Sequence, residues 1–179
     1  MSIKRLPLAG AVAAVAVASV VATTALAGGE REVQTRLTGF QEVPAVSTDA
    51  GGKFKARVRS SHEEIKYELS YSELTGPVLQ AHIHLGQRDV NGGVSAFLCS
   101  NLGNGPAGTQ ACPAGPATIK GTIRPADVVG PEVQGIDPGQ FEELVRGIRA
   151  GVTYANVHSE KFPGGEIRAQ LDEKRGQGH

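Results

Sequence analysis

The sequence predicts an all-β protein: an antiparallel β-sandwich or Greek-key-like barrel of about eight strands, with one short helix near residues 138–149. Three observations carry this. Apolar and polar residues alternate with period two through a series of short runs, as strands with one buried face require. Clusters of Gly, Pro, Asn and Asp separate the runs and suit tight connections; the chain holds 24 glycines and 10 prolines. A single segment switches to a period of 3.6 and marks the helix.

The runs come in order. VQTRLTG (33–39) and KFKARVRS (53–60) alternate, and EEIKYELSYS (63–72) sets Ile65, Tyr67, Leu69 and Tyr71 on one face. VLQAHIHLG (78–86), GVSAFLCS (93–100), ATIKGTIR (117–124), VTYANVHS (152–159) and GEIRAQL (165–171) complete the eight. Short strands at this spacing argue for a closed or two-layered antiparallel sheet. In IDPGQFEELVRGIRAG, Phe141, Leu144, Val145 and Ile148 fall at i, i+3, i+4 and i+7, one apolar helix stripe. Asp137 suits the N-cap, Pro138 the first helical position and Gly151 the closing turn, so the helix is expected to cover the core.

The N-terminus reads MSIKRLPLAGAVAAVAVASVVATTALAGG. Lys4 and Arg5 precede an Ala/Val run that ends on Ala25-Leu26-Ala27, the pattern of a signal peptide cleaved after residue 27. The expected organisation is a leader at 1–27, a polar lead-in at 28–35, one domain at 36–172 and a disordered tail at 173–179, with no transmembrane segment after leader removal. Export makes the mature chain secreted, periplasmic or cell-surface. Cleavage takes two of the 18 basic residues and leaves the 18 acidic ones, so the mature chain is near neutral. With no basic patch in sequence and few aromatics, nucleic acid is not an expected partner. An extracellular protein, or a second copy joined through a sheet face or edge, remains open.

Two cysteines, Cys99 and Cys112, flank SNLGNGPAGTQA, a stretch too rich in Gly, Pro and Asn for helix or strand. In an oxidising compartment an even count predicts a disulfide. A Cys–Cys metal site is disfavoured because no histidine lies near them in sequence.

The histidines carry the chemistry. On a strand, i and i+2 face the same way, so Leu79, Ala81, Ile83 and Leu85 share one face of AHIH and its flanks while Gln80, His82 and His84 share the other. In VTYANVHS, Tyr154, Asn156 and His158 form one set. If those two strands are neighbours, His82, His84 and His158 converge into a three-imidazole site for copper or zinc, with a coordination position left open. His62, in the SSHEE turn, is expected at the surface. Glu166 and Arg168, two apart, share a face and are candidates for an ion pair near the histidines.

LTGFQEVPAVSTDAGGKFKARV, YELSYSELTGPVLQAHIHLGQRDVNGGVSAFL, GTIRPADV and FEELVRGIRAGVTYANVHSEKFPGGEIRAQL resemble the successive signatures of the CHRD (chordin-type) domain over residues 36–171. The resemblance implies an exported β-sandwich and carries no settled activity for bacterial members. A weaker resemblance is to copper/zinc superoxide dismutases, which share the H-x-H strand, a later V-H and a C-terminal Arg. It implies copper on His82, His84 and His158, with Arg168 guiding an anion. The dismutase pattern also has a fourth histidine, whereas residues 86–151 contain none. The expected function is a non-enzymatic binding or metal-handling module. The alternatives are a dismutase-like copper enzyme and a purely structural domain.

Overall fold

The computed structural model describes Met1 and residues 30–172. The expected leader, the start of the lead-in and the tail at 173–179 lie outside the described residues. The strands are β1 (Arg31–Thr38), β2 (Gly51–Arg59), β3 (Glu64–Ser72), β4 (Val78–Leu85), β5 (Gly93–Ser100) and β6 (Ala117–Ile123). A helix, α1 (Phe141–Arg149), precedes β7 (Thr153–Ser159) and β8 (Ile167–Gln170). All eight expected strands are present, most within two residues of their predicted limits.

The strands form one antiparallel sheet in the order β5-β4-β7-β8-β1-β2-β3-β6. The sheet curls into a nearly closed barrel, so its two edge strands, β5 and β6, approach one another. Unpaired edges invite aggregation unless covered, and here the seam is covered by side chains. Tyr67 Oη on β3 donates to the Leu98 carbonyl of β5 at 2.7 Å. Gln110 Nε2 donates to that carbonyl at 3.1 Å and to the Lys120 carbonyl of β6 at 3.1 Å. Gln110 belongs to the loop that the Cys99–Cys112 disulfide ties to the end of β5, so the bridge anchors the clasp of the barrel.

Period-two alternation fills the interior. Leu37, Phe54, Ile65, Leu69 and Ile123 point inward from one half of the sheet. From the other half come Ala81 and Ile83 of β4, Ala155 and Val157 of β7, and Ile167 and Ala169 of β8, all at zero exposure. The helix closes one side with the predicted stripe: Phe141, Leu144, Val145 and Ile148 are buried. A Cβ on Gly147 would stand 3.0 Å from Leu85 and 3.2 Å from Thr153, so this glycine lets α1 lie close against the sheet.

Three expectations need correction. The helix starts at Phe141 rather than 138, because Gly139 at φ 87° cannot belong to a right-handed turn. Asp137 accordingly does not cap it; its backbone N–H bonds Gln140 Oε1 at 2.9 Å within a separate turn. The last strand begins at Ile167, after a sharp turn at Gly165. The near-neutral composition also hides a basic sheet face: Lys53, Lys55 and Arg57 all project outward from β2. His62 is exposed in the β2–β3 connection, as expected, and no helix of the described residues is long and apolar enough to cross a membrane.

The clasp generates a stability prediction. Replacing Cys99 and Cys112 together by Ala frees a loop with a sequence separation of 13, which lowers unfolding free energy in urea by about 3 kcal/mol. Amide exchange then quickens first along β5 and β6. A loss below about 1 kcal/mol would show that Gln110 and Tyr67 hold the seam unaided.

Candidate metal centre

Antiparallel pairing of β4 with β7 sets Gln80 opposite His158, His82 opposite Asn156, and His84 opposite Tyr154. On the next strand over, Arg168 of β8 pairs with Asn156 and Gln170 with Tyr154. Since Ala81, Ile83, Ala155 and Val157 occupy the core side, these polar residues project away from it. They do not reach solvent. His82 is 2% exposed, His84 8%, His158 6%, Asn156 2% and Arg168 2%. The loops after β1, after β4 and between β7 and β8 fold over them and make a second, polar layer outside the barrel wall.

The three predicted histidines converge. One ring nitrogen from each lies within 4.8 Å of the other two. His82 Nδ1 is 3.2 Å from His158 Nε2. His158 Nδ1 faces the Pro163 carbonyl at 2.9 Å, and His84 Nδ1 faces the Gly92 carbonyl at 3.0 Å. A carbonyl only accepts, so in both rings Nδ1 carries the hydrogen and Nε2 keeps its lone pair. The Nε2 atoms of His82 and His84 are buried without any hydrogen-bond partner, an arrangement that costs free energy unless something else satisfies them.

Aromatic contacts fix the rings. Phe97 meets His82 edge-on at 4.5 Å between centroids. Tyr154 stacks on His84 at 4.7 Å with the planes 3° apart. The Arg168 guanidinium lies 3.4 Å over the Tyr154 ring, a cation–π contact in a water-poor setting. Arg168 then donates to the carbonyls of Gln87 and Val90 at 3.1 and 2.9 Å and to Asn91 Oδ1 at 3.2 Å. It thereby holds the loop that delivers the Gly92 carbonyl to His84. Gly92 has no substitute there: a Cβ would sit 1.7 Å from the Leu85 carbonyl oxygen.

Charge is suppressed on the histidines. Burial pushes His82 down to about 2, with the neighbouring His158 and His84 adding to the effect. Burial lowers His84 to about 4 against the pull of the Gly92 carbonyl, and it lowers His158 against that of Pro163. At neutral pH all three imidazoles are uncharged. Glu42 completes the layer: it is 7% exposed and accepts from Asn156 Nδ2 at 2.5 Å. Burial raises its carboxyl to about 7, although Arg168 and Asn156 favour the charged form. A Cβ on Gly165 would press on that carboxylate at 2.8 Å, which reserves the position for glycine.

The expected Glu166–Arg168 pair is corrected by these contacts. Glu166 Oε1 accepts from Thr48 Oγ1 and from the Thr75 backbone N–H, each at 2.8 Å, because the turn at Gly165 aims Glu166 away from the stacked arginine. Sequence reasoning placed Tyr154 and Asn156 on the His158 face but gave neither a role, and it passed over Glu42. The signal for Glu42 was its place in GFQEVP, a short segment rich in turn formers directly after a strand.

A nearly closed antiparallel barrel with a neutral histidine cluster roofed by loops defines the structural class. The CHRD domain family model matches residues 33–171, and the chain belongs to that family. Comparison with curated proteins and with solved structures returned no match.

The layer predicts a pH dependence for the metal-free protein. Histidines whose folded pKa lies below the unfolded value near 6.5 contribute stability that is complete above about 6.5. It is lost as pH falls toward 4, at up to about 1.4 kcal/mol per pH unit for each proton taken up. Glu42, raised to about 7, has the opposite sign: its contribution is complete below about 4.5 and lost as pH rises through 7. Glu42→Gln should therefore steepen the acid loss between about pH 4.5 and 6.5. Unfolding curves across this range check it, and an unchanged slope refutes the assignment.

Proposed function

We propose that this protein is an exported, non-enzymatic metal-handling module of the CHRD family that holds one copper or zinc ion through His82, His84 and His158. One observation carries the reading. Three buried, uncharged imidazoles converge, and two of them leave Nε2 atoms with no partner. Metal ligands must be deprotonated, and the fold already keeps these rings so. Ligating histidines commonly donate their second nitrogen to a carbonyl, which orients the ring; Pro163 and Gly92 do this for His158 and His84. One nitrogen from each ring already lies within 4.8 Å of the other two, so modest ring rotations bring three lone pairs onto one ion at about 2.0–2.1 Å.

Among divalent ions an imidazole set favours copper over zinc in affinity, and three ligands leave a position for exchange. Export is supported by the leader-like N-terminus and by the Cys99–Cys112 bridge, since disulfides persist in oxidising compartments. The dismutase-type alternative uses the same histidines and needs Arg168 within reach of an anion. Its burial and its three bonds to the 87–91 loop weigh for the binding module.

Calorimetric titration of the metal-free protein with copper(II) and zinc(II), followed by copper spectroscopy, tests the reading. One ion per chain is expected, with affinity falling at least about 100-fold in His82→Ala and in His158→Ala. Binding that is equal in parent and variants sinks it. Superoxide turnover by the copper-loaded protein would favour the enzyme instead.

A further inference from the structure

The two halves of the sheet present different outer surfaces. Over β4, β7 and β8 the outer face is the roofed histidine layer. Over β1, β2, β3 and β6 it is open to solvent, and the strand register aligns three rows of side chains across it. The first row is Arg36, Lys53, Ser70 and Thr118. The second is Gln34, Lys55, Glu68 and Lys120, and the third is Glu32, Arg57, Lys66 and Thr122. Six of these positions are cations and two are carboxylates.

The carboxylates do not neutralise the face. Glu68 is shared by Lys120 at 3.0 Å and Lys55 at 4.0 Å, and Glu32 is held by Arg57 at 3.0 Å. Lys66 reaches Glu64 in the adjoining row at 3.5 Å, but Arg59 and Arg124 already reach the same carboxylate at 2.7 and 3.3 Å. A net positive charge therefore remains, on a chain whose total charge is zero. Two grooves are cut into this face. One of about 660 Å³ crosses the first row, past Arg36, Lys53, Ser70 and Thr118. The other, about 510 Å³, runs between Lys55, Arg57, Lys66 and Lys120.

We propose that this face binds a linear polyanion, an acidic polysaccharide bearing carboxylate or sulfate groups. Neighbouring strands stand about 4.8 Å apart and successive rows about 7 Å, so the cations form a ladder that a chain with repeating charges can follow. The grooves take a chain between side-chain rows, and Ser70, Thr118 and Thr122 offer hydroxyls to sugar hydroxyls. No aromatic residue projects from the three rows, so nucleobases find no stacking platform. No large apolar side chain projects from them either, so a bilayer gains no insertion anchor. Binding of this kind is electrostatic, releases counterions and weakens with salt. It is independent of the metal reading, because the histidines lie on the other half of the sheet.

The test measures binding of the purified protein to dextran sulfate and to polygalacturonate, with phosphatidylglycerol vesicles and a single-stranded oligonucleotide in parallel. At least one polysaccharide should bind, with affinity falling about tenfold or more between about 50 and 300 mM salt. The triple variant Lys53→Gln, Lys55→Gln, Lys120→Gln should lose about tenfold at the lower salt, while Arg146→Gln, Arg149→Gln on α1 stays within about twofold of the parent. Thermal melts by circular dichroism confirm that both variants fold. Equal weakening in the two variants overturns the proposal, as does absence of binding at the lower salt. Tighter binding of the vesicles or the oligonucleotide than of either polysaccharide overturns it too.

Discussion

The antiparallel pairing of β4 with β7 is the constraint on which the rest of the structure depends. One side of that pair supplies Ala81, Ile83, Ala155 and Val157 to the core. The other gathers His82, His84, Asn156 and His158. Because successive side chains on a strand alternate, a slip of one residue would send the histidines into the core and the aliphatic residues under the loops. Core and site therefore enforce the same register. The small side chains serve a packing purpose as well: Ala155 and Ala169 stand in register beside Ile83 across three strands and leave room for it in a narrow interior.

What lies over the histidines matters as much as what positions them. A bare strand face would leave imidazoles hydrated and free to titrate. Here the 87–92 loop, pinned by Arg168, removes water and supplies the Gly92 carbonyl. The turn at 162–165 does the same for His158 through Pro163. Burial then holds the rings neutral, and the carbonyls decide which nitrogen keeps its lone pair. Arg168 acts on the cluster without touching it: it positions Tyr154 and the loop, and its charge adds to the downward push on His84.

The two outer faces show how one repeating pattern supports two surfaces. Every strand alternates, but the residues facing away from the core differ: histidine, asparagine and tyrosine around the single buried Arg168 on one half, exposed lysine and arginine on the other. The first set is roofed, with its histidines neutral, and the second is solvated and positive. Long cationic side chains are compatible with an open sheet face because their heads stay in water, whereas the histidine face needs loops to exclude it.

By itself the sequence determined the local features. Alternation in EEIKYELSYS and VLQAHIHLG identified the strands and their apolar faces, the Phe141–Ile148 spacing identified the helix, and the two cysteines identified the bridge. These succeed because pleat and helix periods are properties of a few consecutive residues. The sequence also named the three histidines, but their convergence was conditional on strand adjacency. Only the tertiary structure placed β7, about 70 residues later in the chain, beside β4. Only the fold brought Glu42 to Asn156, turned Arg168 away from Glu166 onto Tyr154, and delayed the helix past Gly139. It also added separate strands into one basic face that the summed charge of the chain had concealed. Burial, hydrogen-bond partners and surface fields arise from residues distant in sequence, and no local pattern encodes them.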